Sequence, residues 1–147
     1  MNFLRTINST ETKPIPVTRY FIDTNVLVYA AERTSEKAKR ANALILGNAV
    51  VSVQVLNEFV RVLTRKTGRS VADATLALAP IKMALAIVPL TVETHERALQ
   101  IADNNQIANF DANIIAAAEL AGCDILYTEN MNNGQRIGSL AIVNPFL

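Results

Sequence analysis

The run Tyr20–Phe21–Ile22–Asp23–Thr24–Asn25 is the strongest structural signal in the sequence. Its three large apolar residues in a row indicate a short strand that is buried on both faces of a sheet. The three polar residues that follow are of types that favour the start of a helix. An ionised carboxylate at the end of a buried strand is costly unless a cation or hydrogen-bond donors satisfy it. The stretch therefore predicts a strand that leads directly into a helix, with a polar position of functional interest between them.

Short apolar runs and helical patterns alternate along the rest of the chain. Further strands are predicted at residues 49–51, 87–89, 125–127 and 140–143, and residues 129–134 form a predicted polar loop. Helices are predicted at residues 26–31, 35–46 and 53–66, from 70 with a bend at Pro80, at 91–104, and from Asp111 to Gly122. The alternation predicts an α/β fold of three layers, with a mostly parallel central sheet flanked by helices. Ligands of such folds bind outside the carboxyl ends of the strands.

The composition fits one domain. The chain has 147 residues and is half apolar, which is enough for a single core. Residues 19–147 are predicted to form this domain, and residues 1–18, which are polar and contain two prolines, a flexible N-terminal arm. A single cysteine, Cys123, excludes an internal disulfide.

Charge and hydropathy bear on location and partners. The formal charge of +1 does not by itself indicate nucleic acid. The most apolar stretch, residues 72–90, contains charged and proline residues and falls short of the ~20 apolar residues of a membrane helix. The N-terminus has no hydrophobic segment typical of a signal peptide. We therefore expect a cytoplasmic protein with no membrane association.

Acidic residues lie near the predicted strand ends and helix starts. Besides Asp23, Glu58 lies at the edge of the apolar arc of its helix, beside Val55 and Val62, and is expected to be half buried. Asp111 opens the Ala-rich helix. Each residue alone has an ordinary interpretation, since aspartate is a good helix N-cap and a boundary glutamate reaches solvent.

A further polar group, Thr128–Glu129–Asn130, follows the predicted strand 125–127. If it converges with the three acids on one crevice, the carboxylates repel one another and raise one another's pKa. Such a cluster makes chemical sense chiefly around a divalent cation. Oxygen ligands without histidine or cysteine clusters favour Mg²⁺ or Mn²⁺.

Five runs in order resemble the PIN-domain family, and in particular VapC-type toxins of toxin–antitoxin systems. The resemblance extends from about residue 20 to the C-terminus and is carried by residues 21–30, 52–59, 110–124, 126–131 and 142–146. It implies a ribonuclease that hydrolyses RNA phosphodiester bonds with Mg²⁺ or Mn²⁺ and is restrained by a small antitoxin protein.

The resemblance also implies roles for particular residues. Asp23, Glu58 and Asp111 correspond to catalytic metal ligands. Asn130 occupies a position that is usually acidic in the family, so that it can offer an amide oxygen but no charge. The supporting positions around them are Thr24, Asn25, Thr128 and Glu129.

Contacts with RNA would have to come from local clusters of basic residues. Arg61 and Arg65 are four residues apart on the side of the helix that carries Glu58, and we expect them to bind RNA. A solvated helix face is an equally good interpretation of each basic cluster taken singly. The strongly apolar residues 72–90 exceed what one small core buries, which predicts a homodimer.

Three alternatives stay open. Asn130 is compatible with a catalytically weak or inactive PIN-like module that binds RNA or protein. A phosphatase or receiver-type domain also places an aspartate after the first strand, but such phosphatases need a second one where Asn25 stands. A nucleotide-binding Rossmann domain is disfavoured because no glycine-rich phosphate-binding motif occurs.

Overall fold

A computed structural model describes residues 17–32 and 34–147. Most of the predicted N-terminal arm, residues 1–18, lies outside the described residues. The strands are β1 (Tyr20–Ile22), β2 (Ala49–Ser52), β3 (Ala86–Val88), β4 (Ile125–Tyr127), β5 (Arg136–Ile137) and β6 (Leu140–Val143). The helices are α1 (Thr24–Ala30), α2 (Glu36–Ile45), α3 (Val53–Lys66), α4 (Val71–Ala84), α5 (Val92–Asn105) and α6 (Asn109–Leu120).

The strands form one sheet in the order β3-β2-β1-β4-β6-β5. All neighbouring pairs are parallel except β5 and β6. Helices flank the sheet, which confirms the predicted fold class. The chain leaves β1 toward β2 on one side and returns as β4 on the other, so the strand order reverses between β1 and β4. Such a switch point opens a crevice at the carboxyl ends of these two strands.

Four predicted helix starts are confirmed by capping hydrogen bonds. The hydroxyls of Ser35, Ser52, Ser70 and Thr91 each accept a bond from a backbone N–H three residues on. Ser70 also forms a capping box with Asp73. Each cap satisfies a backbone donor that the helix leaves free, an effect typically worth about 1 kcal/mol.

The start of α6 differs from the prediction. The helix begins at Asn109, with Ala108 in an extended conformation as the N-cap and no side-chain capping bond. Asp111 therefore lies inside the first turn, where its negative charge favours the helix dipole without serving as the cap. Its carboxylate is free for another role.

Two features of the sheet also differ from the predictions. The two-residue strand β5 was not predicted, because a strand this short has no period of its own and forms by pairing with β6. β3 was expected to be buried on both faces, but it is an edge strand in which Ala86 and Ile87 are exposed. The inner strands β1, β2 and β4 carry the fully buried residues Phe21, Val50 and Leu126.

Helix α4 is apolar nearly all round. Its inner face, with Leu78 and Ile81, is buried, whereas Leu76 and Met83 on its outer side are largely exposed. A helix with this pattern is usually covered by another surface.

In the part of the chain that the structure describes, no helix is long and apolar enough to cross a membrane.

Candidate active site

Asp23 stands at the switch point, between the end of β1 and the start of α1. It is buried, and its Oδ1 caps α1 by accepting a 2.7 Å bond from the backbone N–H of Thr24. Its Oδ2 accepts bonds from the Thr128 hydroxyl at 2.8 Å and from Asn25 Nδ2 at 3.4 Å. A carboxylate has about four acceptor positions. Helix capping therefore accounts for only part of what this side chain can bind.

Glu58 reaches the same place from helix α3. As predicted, it is half buried. The Thr24 hydroxyl donates a 2.8 Å bond to its Oε2, and Gln54 Nε2 donates a 3.4 Å bond to Oε1. Thr24 therefore connects the two acids, since its backbone N–H holds Asp23 and its hydroxyl holds Glu58.

Asp111 faces this pair from the first turn of α6. Within the described part of the chain its carboxylate accepts no hydrogen bond and has no ion-pair partner. Partial burial, and then the nearby charge of Glu58, raise the pKa of Asp111. Burial also raises the pKa of Asp23, despite its bonds from Thr128 and Thr24, and the charges of Glu58 and Asp111 add to the increase. Burial is thus the main cause of both raised pKa values, and the repulsion between the carboxylates adds to it.

Thr128 and Glu129, which follow β4, have different partners. Thr128 is fully buried behind Asp23, where it orients the carboxylate and accepts bonds from Asn25 Nδ2 and from the backbone N–H of Asn130, both at 3.2 Å. Glu129 instead forms an ion pair. Lys37 Nζ lies 3.0 Å from its Oε2, and the Tyr29 hydroxyl donates a 2.8 Å bond to its Oε1.

Lys37 and Tyr29 together hold the side chain of Glu129. The ammonium group also lies 4.6 Å from the centre of the Tyr29 ring, and hydrogen bonds to Tyr29 and Glu129 raise the pKa of Lys37. Glu129 therefore already has its compensating charge. It lies in the wall of the crevice, and its carboxylate is bound by Lys37 and Tyr29.

These side chains line one cleft of about 580 Å³. Asp23, Glu58, Asp111 and Asn130 all line it. The basic residues of the cleft all come from α3 and are Arg61, Arg65 and Lys66. The remaining lining residues are Thr24, Asn25, Val28, Tyr29, Val62, Ile114 and Glu129. One end of the cleft is thus acidic, and one wall is basic.

The donor set suits a hard divalent cation, because it consists of oxygen atoms from carboxylates and one amide. Each of Asp23, Glu58 and Asp111 also keeps acceptor positions that no protein hydrogen bond uses. Among residues 17–32 and 34–147, however, no three acidic, histidine or cysteine side chains form a ready-made metal-binding group. A cation would have to draw the three carboxylates together against their mutual repulsion.

A comparison with family models matches residues 20–132 to the PIN domain. The chain belongs to the PIN-domain family. The matched region begins at β1 and includes all three acids and Asn130. A comparison with curated proteins finds no match.

Solved structures with the same fold support this assignment. A toxin–antitoxin complex from Klebsiella pneumoniae is similar with a TM-score of 0.65 and 21% identity, covering 86% of this chain and 97% of the other. DNA-bound VapBC from Salmonella typhimurium is similar with a TM-score of 0.66 and 15% identity. The match covers 85% of this chain and 96% of the other. VapC20 from Mycobacterium tuberculosis, a toxin that cleaves the sarcin–ricin loop, is similar with a TM-score of 0.58 and 20% identity. The match covers 73% of this chain and 86% of the other. The fold of this PIN domain is thus that of VapC toxins.

The PIN domain contains site features that the sequence did not predict. Gln54 holds Glu58 one turn away, a spacing that could have been noticed, because residues four apart share a helix face. The grouping of Tyr29, Lys37 and Glu129 carries no such signal, since Glu129 is 92 residues from Lys37 along the chain. Lys66 was visible only as one member of a basic cluster, and the fold places it in the cleft.

Proposed function

We propose that this PIN domain is a metal-dependent endoribonuclease, the toxin of a toxin–antitoxin pair, which hydrolyses RNA phosphodiester bonds in the cytoplasm. One observation carries the proposal. Carboxylates from three separate elements, Asp23, Glu58 and Asp111, line one cleft whose wall carries Arg61 and Arg65. Acidic residues that hold a cation beside basic residues that hold phosphates suit metal-assisted hydrolysis of a phosphodiester.

Mg²⁺ or Mn²⁺ would be held by Asp23, Glu58 and Asp111, with the amide oxygen of Asn130 as a further ligand. When bound, such a cation acidifies a coordinated water and offsets charge on the phosphate. Thr128 and the backbone of Thr24 fix the direction of the Asp23 carboxylate, and the Thr24 hydroxyl fixes Glu58. These bonds preorganise the ligands, so that less ordering is required when the cation binds.

The basic wall positions the substrate. Arg61 and Arg65 are exposed and lie one and two turns beyond Glu58 on the same face of α3, with Lys66 beside them. In the described part of the chain none of these three side chains forms an ion pair. Their charges are therefore available to RNA phosphates. The RNA strand would run along α3 toward the three carboxylates.

A second candidate function rests on Asn130. Its neutral side chain lowers the charge available to a cation, and Glu129 is already paired with Lys37. A protein that binds RNA and cuts it slowly or not at all is the alternative that this observation favours.

We further propose an antitoxin partner and a homodimer. The outer face of α4 and the neighbouring groove of about 750 Å³, which Ile45, Leu46 and Leu76 help to line, provide the apolar surface for such contacts. Co-purification with the product of an adjacent short reading frame would support the antitoxin. Light scattering of the protein alone at tens of micromolar tests the dimer, and a clean monomer contradicts it.

The proposed activity is tested by incubating single-stranded RNA with the wild type and with Asp111→Asn, each with Mg²⁺, Mn²⁺ or EDTA. We expect cleavage by the wild type that needs the cation, and loss of at least about 100-fold in the variant, which removes a ligand charge. Binding of RNA without cleavage by the wild type would establish the second candidate instead. Equal cleavage in EDTA would refute the metal-dependent mechanism.

A further inference from the structure

A second, smaller cavity of about 190 Å³ lies on the other side of Asp111 and Asn130, which line both spaces. It is formed where the segment before α6 meets the loop between β4 and β5. Its other lining residues are Gln106, Ile107, Ala108, Ile115, Met131, Asn132, Gln135 and Ile142. The proposed reaction gives this cavity no role.

The chemistry of the cavity is that of a site for a flat polar ring. Four carboxamide side chains line it, those of Gln106, Asn130, Asn132 and Gln135, and each amide offers both donors and an acceptor. Buried Ile115 and Ile142 supply apolar surface. With about 190 Å³ the cavity is smaller than the 300–1,000 Å³ typical of sites for drug-sized ligands, and it suits a group of the size of one nucleobase.

These amide side chains form few hydrogen bonds with the rest of the protein. Asn132 Nδ2 donates to Gln135 Oε1 at 3.4 Å, a long bond, and Gln106 Nε2 donates to the backbone carbonyl of Asp103. The side chain of Asn130 forms no hydrogen bond within the described residues, although its backbone N–H donates to Thr128. Most of the hydrogen-bonding capacity that faces the cavity is therefore available to a ligand.

We infer that this cavity is a base-recognition pocket, which accepts one unpaired nucleobase next to the RNA phosphate held in the acidic cleft. The inference rests on the proposed function. Because Asp111 and Asn130 are walls of both spaces, a nucleotide whose phosphate lies in the cleft has its base within reach of the amides. Proteins recognise RNA sequence mostly through unstacked single-stranded bases whose edges form hydrogen bonds with side chains, and amides suit such edges.

The pocket is first tested alone, without metal. The side-chain amide signals of the protein are followed by NMR during titration with adenosine, cytidine, uridine and inosine, the last a soluble substitute for guanosine. We expect the signals of Asn132 and Gln135 to shift with at least one nucleoside, and the Asn48 signal to stay unchanged. Asn48 is exposed and directly precedes β2, at the amino ends of the strands and so away from the cleft at their carboxyl ends. No shift at millimolar nucleoside would overturn the inference, whether or not the protein is a nuclease.

The second test is the base preference in cleavage of a randomised single-stranded RNA pool. We expect a preference at one base beside the cut that changes by about fivefold or more in Asn132→Asp, the lower end of what one good pair of base contacts contributes. Asn48→Asp is the matched control and should keep the wild-type profile. Gln135→Glu provides an independent variant in case Asn132→Asp is unstable.

The outcomes separate the two proposals. Cleavage with no base preference, or with the same preference in all variants, overturns the pocket and leaves the nuclease in place. If the wild type cuts no RNA, the proposed function fails, and the nucleoside titration still decides whether the pocket binds bases.

Discussion

We propose that the neutral side chain of Asn130 limits the strength of the proposed cation site. Two unit charges ~4 Å apart interact by about 4 kcal/mol at an effective dielectric constant of 20. Recovering even half of this would strengthen cation binding more than tenfold. We therefore expect Asn130→Asp to bind Mn²⁺ at least tenfold more tightly and to cut RNA faster. Titration calorimetry beside the control Asn48→Asp checks this, and identical affinities would mean that Asn130 does not contribute to the site.

Glu129 is expected to behave in the opposite way from its sequence neighbour. Its carboxylate is bound by Lys37 and by the Tyr29 hydroxyl. Glu129→Gln should leave the Mn²⁺ affinity within about twofold of the wild type, because a charge that is already paired contributes little at a distance. A tenfold loss of affinity in the same calorimetric assay would show that Glu129 does supply charge to the cation.

The sequence alone could predict which residues are candidates, but not how each one is used. The sequence correctly predicts that Asp23 follows a buried strand and that Glu58 lies at the half-buried edge of a helix, because both positions follow from local patterns. The role of Glu129 depends on Lys37 in another helix, and no local pattern contains a contact between residues 92 positions apart.

Helix α3 is the element that combines acid and bases in the cleft. If Arg61 and Arg65 contact phosphates, each alanine substitution should weaken binding of RNA of any sequence. It should also reduce the slope of log affinity against log salt by roughly 0.7, the value for one phosphate contact on a single strand. Fluorescence anisotropy in EDTA at several salt concentrations measures this, with Lys82→Ala on α4 as control. An unchanged slope would assign the two arginines to a solvated helix face.

The element boundaries were predictable where a side chain determines them. Ser35, Ser52, Ser70 and Thr91 cap their helices as expected, because capping is a contact over three residues. The start of α6 was wrong by two residues because an aspartate favours the first turn as well as the cap position. The proposed base-recognition pocket was not predicted, because it exists only where segments distant in the sequence meet.

For the protein as a whole, we expect the burial of Asp23 among other acids to lower the free energy of unfolding of the metal-free form at neutral pH. Burial raises the pKa of Asp23 in the folded state above its ordinary value of 3.8. The folded state therefore binds this proton more tightly than the unfolded state does. The free energy of unfolding should rise as the pH falls from neutral through the raised pKa toward 3.8.

Asp23→Asn should remove this contribution. An asparagine keeps the shape of the side chain and an acceptor for the Thr24 N–H, without a buried charge. We expect the metal-free variant to melt at a higher temperature than the wild type at pH 7. The difference should shrink at pH 5. Thermal unfolding followed by circular dichroism in EDTA measures both, and a lower melting temperature at pH 7 would contradict the expectation.

The most direct test is a calorimetric titration of the metal-free protein with Mn²⁺, comparing the wild type with Asp23→Asn and Asp124→Asn. Asp124 is an exposed aspartate at the opposite end of β4 and serves as the matched control. If Asp23, Glu58 and Asp111 form one divalent cation site, the wild type and Asp124→Asn will show the same saturable binding. The affinity of Asp23→Asn will then be at least tenfold lower. Equal affinity in all three proteins, or no binding by the wild type, would contradict a cation site at the end of β1.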